Sequence, residues 1–422
     1  MLKKILNHSF WLLIGNSVGR LTMFMANIVV ARVLPQEVFG QFTIIRSTIS
    51  SIEGLLSGAL ASPIIKKISE TANESTDRVN FVASTLFFTN ISIAIILALM
   101  IYFLSPIIVE SFFIAKSELI FGLKIGSFLI IATSLSNIMQ SMLIGLEEFK
   151  KIAFAGIVAS LISFPLVVAL IIFFGFYGAI WGVVIYFISD FACKYYLLRK
   201  YLSFSFTHNI TSMSQKGIKL LKSSSPLFLS VVIATISFWY ARVIVVQETN
   251  SFEDIAIFDA AFQWLTIIMT ITGATTSIVL PMLSKKSNAH DIKKIFIINF
   301  LVNLCISILI ALFFIFFSKE IMSIYGPKYL QGYSTLVVLA ITSVFFTLAT
   351  LFNRYMVARN RNWVIFFTTL LSGITLFSYL MFSINMNAYT LAISVFLYYL
   401  TSTILYLIFY QRKDGTFAQY IK

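Results

Sequence analysis

Five basic residues, Arg20, Arg46, Lys194, Arg242 and Arg354, lie inside long apolar stretches rather than beside them. Glu53, Asp190 and Asp259 share that setting. A charge at the centre of a bilayer costs about 2.5–3.5 kcal/mol on insertion scales, so its usual place is a bundle interior or a wet cavity. A guanidinium stays charged there and grips phosphate oxygens through a planar fork. Arg20, Arg46 and Arg242 are therefore the expected anion-binding set, suited to a diphosphate group. An internal ion pair of Arg46 with Glu53 or Asp259 is the alternative for that residue. Glu53 and Asp259 are the expected positions for a coupling H⁺ or Na⁺. Asp190 and Lys194, four residues apart, read as a local ion pair. Arg354 is expected to reach toward the interface.

Helical spacing groups these residues with uncharged polar ones, at 100° per residue. Asn16, Arg20 and Asn27 share a face of the first apolar segment, joined by Ser9. Arg46, Ser50, Glu53 and Ser57 form a second stripe. Asp259, Gln263, Thr266, Thr270 and Ser277 form a third, and Ser343, Thr347, Thr350 and Arg354 a fourth. Such stripes on apolar helices imply a common hydrophilic lumen, in which Asn16, Asn27 and Gln263 complete the substrate-binding set. Cys193 and Cys305 sit far apart in apolar runs, and His8, His208 and His290 lie in or beside polar segments. Neither set has the spacing of a metal site or disulfide framework. No Walker lysine loop or GxSxG elbow occurs, so no nucleotide cofactor and no enzymatic activity are expected.

The elements that hold these residues follow from composition. Apolar residues make up 59% of the 422 and charged residues 11%, against roughly 25% charged in a soluble domain. The mean hydropathy is +0.92. About twenty apolar residues cross the hydrocarbon as a helix. That ruler gives spans near 9–32, 39–63, 80–104, 119–144, 152–174, 178–198, 224–247, 256–282, 294–317, 331–356, 362–384 and 388–410. The runs are long and continuous, which favours helices over barrel strands. The first span is too long for a signal-peptide core and reads as an uncleaved helix. The expected fold is all-α and integral to the membrane, about twelve transmembrane helices in two six-helix bundles. The boundaries are 1–200 for the first bundle, 201–223 for a cytoplasmic linker and 224–422 for the second. Val38-Phe-Gly-Gln-Phe42 opening the second span matches Ile255-Ala-Ile-Phe258 opening the eighth, at an offset near 216. Six spans per repeat keep both halves in one orientation, related by a pseudo-two-fold axis along the membrane normal.

Orientation follows from the basic residues. With the N-terminus in the cytoplasm, 21 of the 31 Lys and Arg fall in cytoplasmic segments and 5 in outer ones. Both termini are thus expected in the cytoplasm. The net charge of +14 is largely topological and implies no nucleic-acid partner.

Specific stretches add a resemblance. Ala31-Arg-Val-Leu-Pro-Gln-Glu-Val-Phe-Gly-Gln-Phe42, Tyr240-Ala-Arg-Val-Ile-Val245 with Ile257-Phe-Asp-Ala-Ala-Phe-Gln263, and Gly175-Phe-Tyr-Gly-Ala-Ile-Trp-Gly182 resemble polysaccharide flippases. These are the Wzx-type O-antigen and repeat-unit transporters of the multidrug/oligosaccharidyl-lipid/polysaccharide (MOP) exporter superfamily. The resemblance implies alternating-access passage of an undecaprenyl-diphosphate-linked glycan from the cytoplasmic to the periplasmic leaflet of a bacterial inner membrane. Membrane lipid, a polysaccharide polymerase and chain-length proteins are the implied partners. The related lipid II flippases carry cavity arginines on the first, second and a second-half helix, and Arg20, Arg46 and Arg242 occupy comparable helices. Glu37 is the counterpart available here for the acidic residue those flippases carry just after the first span. An ion-coupled drug or cation antiporter of the same superfamily is the alternative, though it favours an acidic cavity. A membrane-embedded polymerase or ligase is a further one, but it calls for a larger outer loop than this chain supplies.

The topology is testable by single-cysteine labelling. Positions in 66–79, 199–223 and 284–293 are expected to react only after the inner membrane is opened. Positions near Glu253 and Asn387 are expected to react from the periplasm, and two reversed loops would overturn the twelve-span arrangement.

Overall fold

The computed structural model describes residues 19–71, 75–113, 117–202, 225–277, 289–359 and 361–414, and the regular elements among them are helical. Helix α1 covers 19–33, α2 Gln36–Thr71, α3 Thr76–Phe112 and α4 Ser117–Gly145. The stretch Phe149–Leu198 is kinked at Gly175 (φ 54°, ψ −126°), which separates α5 (149–174) from α6 (176–198). A side chain would be strained at that backbone conformation, so glycine is what lets two predicted spans share one helical stretch. The remaining helices are α7 Ser225–Thr249, α8 Glu253–Ser277, α9 Ala289–Phe316, α10 Tyr333–Ala358, α11 Asn362–Phe382 and α12 Ala388–Asp414. Two short pieces, Ser318–Ser323 and the 3₁₀ turn Pro327–Gly332, join α9 to α10.

The predicted spans fall on α1 to α12 in order. Among the described residues, eight helical stretches are long and apolar enough to cross a membrane, with Phe149–Leu198 counted once. Helices α2 and α8, outside that set, carry Arg46, Glu53 and Asp259. The protein is a multi-pass integral membrane protein. Several helices outrun the predicted spans: α2 continues to Thr71 and α3 to Phe112. A 36-residue helix is about 54 Å long at 1.5 Å per residue, against about 30 Å of hydrocarbon.

The chain divides into two compact units, Met1–Ser224 and Ser225–Lys422. In the first, α4 is central and packs on α2, α3 and the α5/α6 stretch. Gly122 and Gly126 of α4 lie against Ile45 and Ile49 of α2, and small residues at such a contact let helices approach closely in a membrane. One end of the unit is closed by an apolar cluster that includes Ile68, Val82, Met139, Met142, Ile152 and Leu198. In the second unit α10 is central and packs on α8, α9 and α12, while α11 joins α7 to α12. Its cluster is aromatic, built on Phe296, Phe352, Tyr355, Tyr406 and Tyr410.

Buried charge ties α6 to α4. Lys194 Nζ lies 2.5 Å from Asp190 Oδ2 and donates to Gln140 Oε1 at 2.9 Å and Ser136 Oγ at 3.2 Å. Ser136 also donates to Asp190. Asp190 and Lys194 are both buried. The pair is thus an inter-helix tie, deeper than the local i,i+4 pair that its spacing alone implies.

Removing one member leaves the other charge uncompensated, a loss of about 3–5 kcal/mol for buried pairs. Lys194→Met is expected to lower the melting temperature of the detergent-solubilised protein sharply. The double change Asp190→Leu, Lys194→Met is expected to recover most of the loss, and a single variant as stable as the parent would contradict the tie.

Candidate functional site

In the first unit the site residues lie on α1 and α2, backed by α4. Arg46 donates from Nη1 to Asn27 Oδ1 at 2.7 Å. Asn27 is buried on α1 and Arg46 half-buried on α2. Residues nineteen apart along the chain touch here, so the α1–α2 hairpin doubles back. Arg20 is exposed on α1. The Arg46 side chain also lines a small cleft with Phe42, Ile45, Ile49, Leu129 and Ile180. Glu53 accepts a hydrogen bond from Asn137 Nδ2 of α4 at 2.7 Å.

In the second unit the site is the α7–α8 hairpin. Arg242 donates from Nε (3.1 Å) and Nη2 (2.9 Å) to one oxygen, Oδ1, of Asp259. Its Nη1 donates to the Phe238 carbonyl at 2.9 Å. The guanidinium carbon lies 5.1 Å from the Phe258 ring centre and 5.2 Å from that of Phe262, within cation–π range. About a tenth of each side chain in the pair stays exposed (10% and 11%). One turn on, Gln263 accepts from the Tyr325 hydroxyl at 3.2 Å. The N-terminal end of α8 is stapled by Asp254, which accepts from the Ala388 amide at 2.9 Å, and Asn387 caps α12 through the Thr390 amide at 2.8 Å.

The predicted residues thus fall into separate contacts. Arg242 and Asp259 meet, and so do Arg46 and Asn27. Glu53 is held by Asn137 and Asp259 by Arg242. Asn16, Ser9 and His8 lie outside the described residues, as do 203–223 of the predicted linker. The hydroxyl stripes are less polar than their sequence implies. Thr266 and Thr270 donate to the carbonyls of Gln263 and Thr266, and Ser343 and Thr347 to those of Ala340 and Ser343. Ser343 and Thr347 are also buried in the unit, which leaves Thr350 and Arg354 as the partly exposed end of that stripe. Ser/Thr back-bonding of this kind satisfies the donor within the helix.

Sequence reasoning missed the polar face of α4. Ser136, Asn137 and Gln140 supply the partners of Asp190, Glu53 and Lys194. The signal was present in Thr133-Ser-Leu-Ser-Asn-Ile-Met-Gln-Ser141, a polar run inside an apolar span. Tyr325, the partner of Gln263, comes from a connecting segment and carries no sequence signal of that role. Among the described residues no group of His, Cys, Asp and Glu is arranged to hold a metal.

Chemically, the two hairpins carry guanidinium groups, an amide-held carboxylate and several amides. That inventory recognises anions and hydroxyl-rich groups.

The fold has solved counterparts. An inward-facing multidrug resistance MATE family transporter of the MOP superfamily superposes with a TM-score of 0.75 over 97% of this chain and 100% of its own, at 14% identity. An outward-facing structure of such a transporter gives 0.72 over 98% and 96%, at 16% identity. A MOP superfamily transporter from Pyrococcus furiosus, described as having a binding pocket of reverse polarity, gives 0.71 over 98% and 96%, also at 16% identity. No curated protein matches the chain in sequence. The family described as polysaccharide biosynthesis protein matches residues 5–287. With that match spanning most of its length, and a fold shared with MOP superfamily transporters, the chain belongs to the polysaccharide biosynthesis protein family.

Proposed function

We propose that this protein is a flippase that carries an undecaprenyl-diphosphate-linked oligosaccharide repeat unit from the cytoplasmic to the periplasmic leaflet. The observation that carries the reading is the set of guanidinium groups on α1, α2 and α7, Arg20, Arg46 and Arg242, in a chain of the polysaccharide biosynthesis family. A sugar chain does not cross hydrocarbon unaided, because its hydroxyls would lose their hydrogen bonds. Amides such as Asn27 and Gln263 replace that hydration, and the arginines hold the diphosphate while the prenyl tail stays in lipid. Alternating access is supported by fold neighbours solved both inward- and outward-facing. The setting is a bacterial inner membrane with both termini cytoplasmic. A polysaccharide polymerase and chain-length proteins receive the product.

Coupling falls first on Glu53. Its partner is an amide, Asn137, so H⁺ or Na⁺ is free to neutralise it during the cycle. Asp259 already has Arg242 as counter-ion and takes an ion only when that pair opens. Two of the fold neighbours are named as multidrug resistance transporters; a drug or cation antiporter requires a cation to approach this arginine set, which repels it.

Arg20→Ala is the direct test, because Arg242 also neutralises Asp259. Each charge-assisted hydrogen bond lost costs about 1.5–3 kcal/mol, about tenfold or more in affinity. Export of surface glycan is expected to collapse with membrane-inserted protein unchanged. Lysine is expected to rescue only partly, since it lacks the planar fork. Normal export from Arg20→Ala combined with Arg242→Ala and Asp259→Asn would eliminate the diphosphate clamp.

The coupling role is checked separately with Glu53→Gln in vesicles. Transport by that variant is expected to lose its dependence on an imposed pH or Na⁺ gradient. A gradient dependence equal to the parent's would leave Glu53 as a structural partner of Asn137.

A further inference from the structure

The Arg242–Asp259 pair is unlike the buried pair in the first unit. Around Lys194 and Asp190, side chains from α4 supply additional hydrogen bonds and the pair is sealed. Around Arg242 and Asp259 the bonding is incomplete. Both guanidinium bonds converge on Oδ1 of Asp259, and no hydrogen bond to Oδ2 is present among the described residues. Three N–H groups of Arg242 are used, two on Asp259 and one on the Phe238 carbonyl. A guanidinium has five, so two remain to bind an incoming acceptor. The pair is buried, with 10% and 11% of its side chains exposed against 4% and 8% for Lys194 and Asp190. An ion pair kept for stability alone is expected to have its remaining lone pairs and protons satisfied. This one is left with bonding capacity unfilled.

We infer that Asp259 is a resident counter-anion, holding the phosphate site of Arg242 until a lipid-linked diphosphate displaces it. The inference rests on the flippase reading and deepens it, by stating what the phosphate must compete with. A bidentate phosphate contact replaces two bonds to a single carboxylate oxygen, so the guanidinium is never left without an anion. The Phe258 and Phe262 rings and the Phe238 carbonyl hold the guanidinium plane in either state. The exchange also opens the α7–α8 hairpin contact when substrate binds. Differential contact of this kind is what a ligand needs in order to shift a conformational equilibrium.

Competition makes a prediction opposite to that of a static salt bridge. The full-length protein is placed in lipid nanodiscs, and binding of undecaprenyl diphosphate is measured, with undecaprenol as the uncharged control. Asp259→Asn keeps the shape and removes the competing charge, so it is expected to bind the diphosphate about tenfold tighter than the parent, the scale of one ion pair's coupling. Arg242→Ala is expected to lose that preference over undecaprenol. Asp259→Ser serves as a second variant with a smaller side chain. An Asp259 variant that is folded but binds no tighter than the parent overturns the exchange. Failure of both Asp259 variants to fold overturns it too, because a pair that substrate opens must be dispensable to the fold. If the parent protein itself shows no preference for the diphosphate over undecaprenol, the flippase reading falls with it. A parent that prefers the diphosphate, with Asp259→Asn unchanged, removes the exchange alone.

Discussion

A charge inside an apolar helix must find a partner before the helix can leave water, and the interior of this protein is organised by how each charge does so. Lys194 and Asp190 are sealed against each other with help from Ser136 and Gln140. Arg242 and Asp259 pair across a hairpin but keep unfilled bonding capacity. Arg46 and Glu53 take neutral partners, Asn27 and Asn137. These are three solutions with different consequences. A sealed pair is neutral and inert, and it holds α4 to α6. A half-satisfied pair can exchange one anion for another. A carboxylate held by an amide, as Glu53 is by Asn137, is fixed in place by a neutral group.

The repeat shows that one frame carries two fillings. At the sequence offset of about 216, Asn137 corresponds to Asn353, Asp190 to Tyr406 and Lys194 to Tyr410. Asn353 donates to the Tyr406 hydroxyl at 3.2 Å, and Tyr406 and Tyr410 pack with Phe352. The contact between the fourth and sixth helices of a unit is thus ionic in the first and aromatic in the second. The first hairpins are related in a similar way. Each is clasped by an arginine, reaching from α2 to α1 in one unit and from α7 to α8 in the other. Geometry was kept while chemistry diverged, as expected where packing sets the helix positions and a few polar groups set what the units bind.

Much of this was legible because a bilayer imposes a coarse, long-range code. Twelve apolar runs and the charge asymmetry of their connections are visible in the chain itself, whereas the kink at Gly175 between α5 and α6 was not read from it. The charged site residues stood out because they break an apolar background. Their pairings did not, since a face at 100° per residue says which direction a side chain leaves its helix and nothing about which helix it meets. Arg46 reaches the amide of Asn27 on α1 and Glu53 the amide of Asn137 on α4, and neither partner is named by helical spacing. The α4 stripe of Ser136, Asn137 and Gln140 was overlooked because neutral polar residues are cheap enough in membrane helices to pass as background. The hydroxyl stripes were overread for the complementary reason. A Ser or Thr donor satisfied by its own helix, like Thr270 on the Thr266 carbonyl, costs little and advertises no lumen.

That distinction bears on what kind of cargo the protein can select. Hydroxyls bonded to their own backbone still accept hydrogen bonds, so they tolerate many sugars and discriminate among few. Selectivity then rests on groups whose bonding is unfinished and directional, and among the described site residues Arg242 has that character most clearly. A guanidinium presents its donors in one plane, so it distinguishes a flat or bidentate anion from a diffuse one. On the proposed reading, a binding site built this way reads the charged linkage of a lipid-linked glycan more strictly than the glycan itself. Under the proposed flippase reading, one protein frame serves repeat units of differing sugars and refuses uncharged prenols, because the recognised linkage is common to all of them.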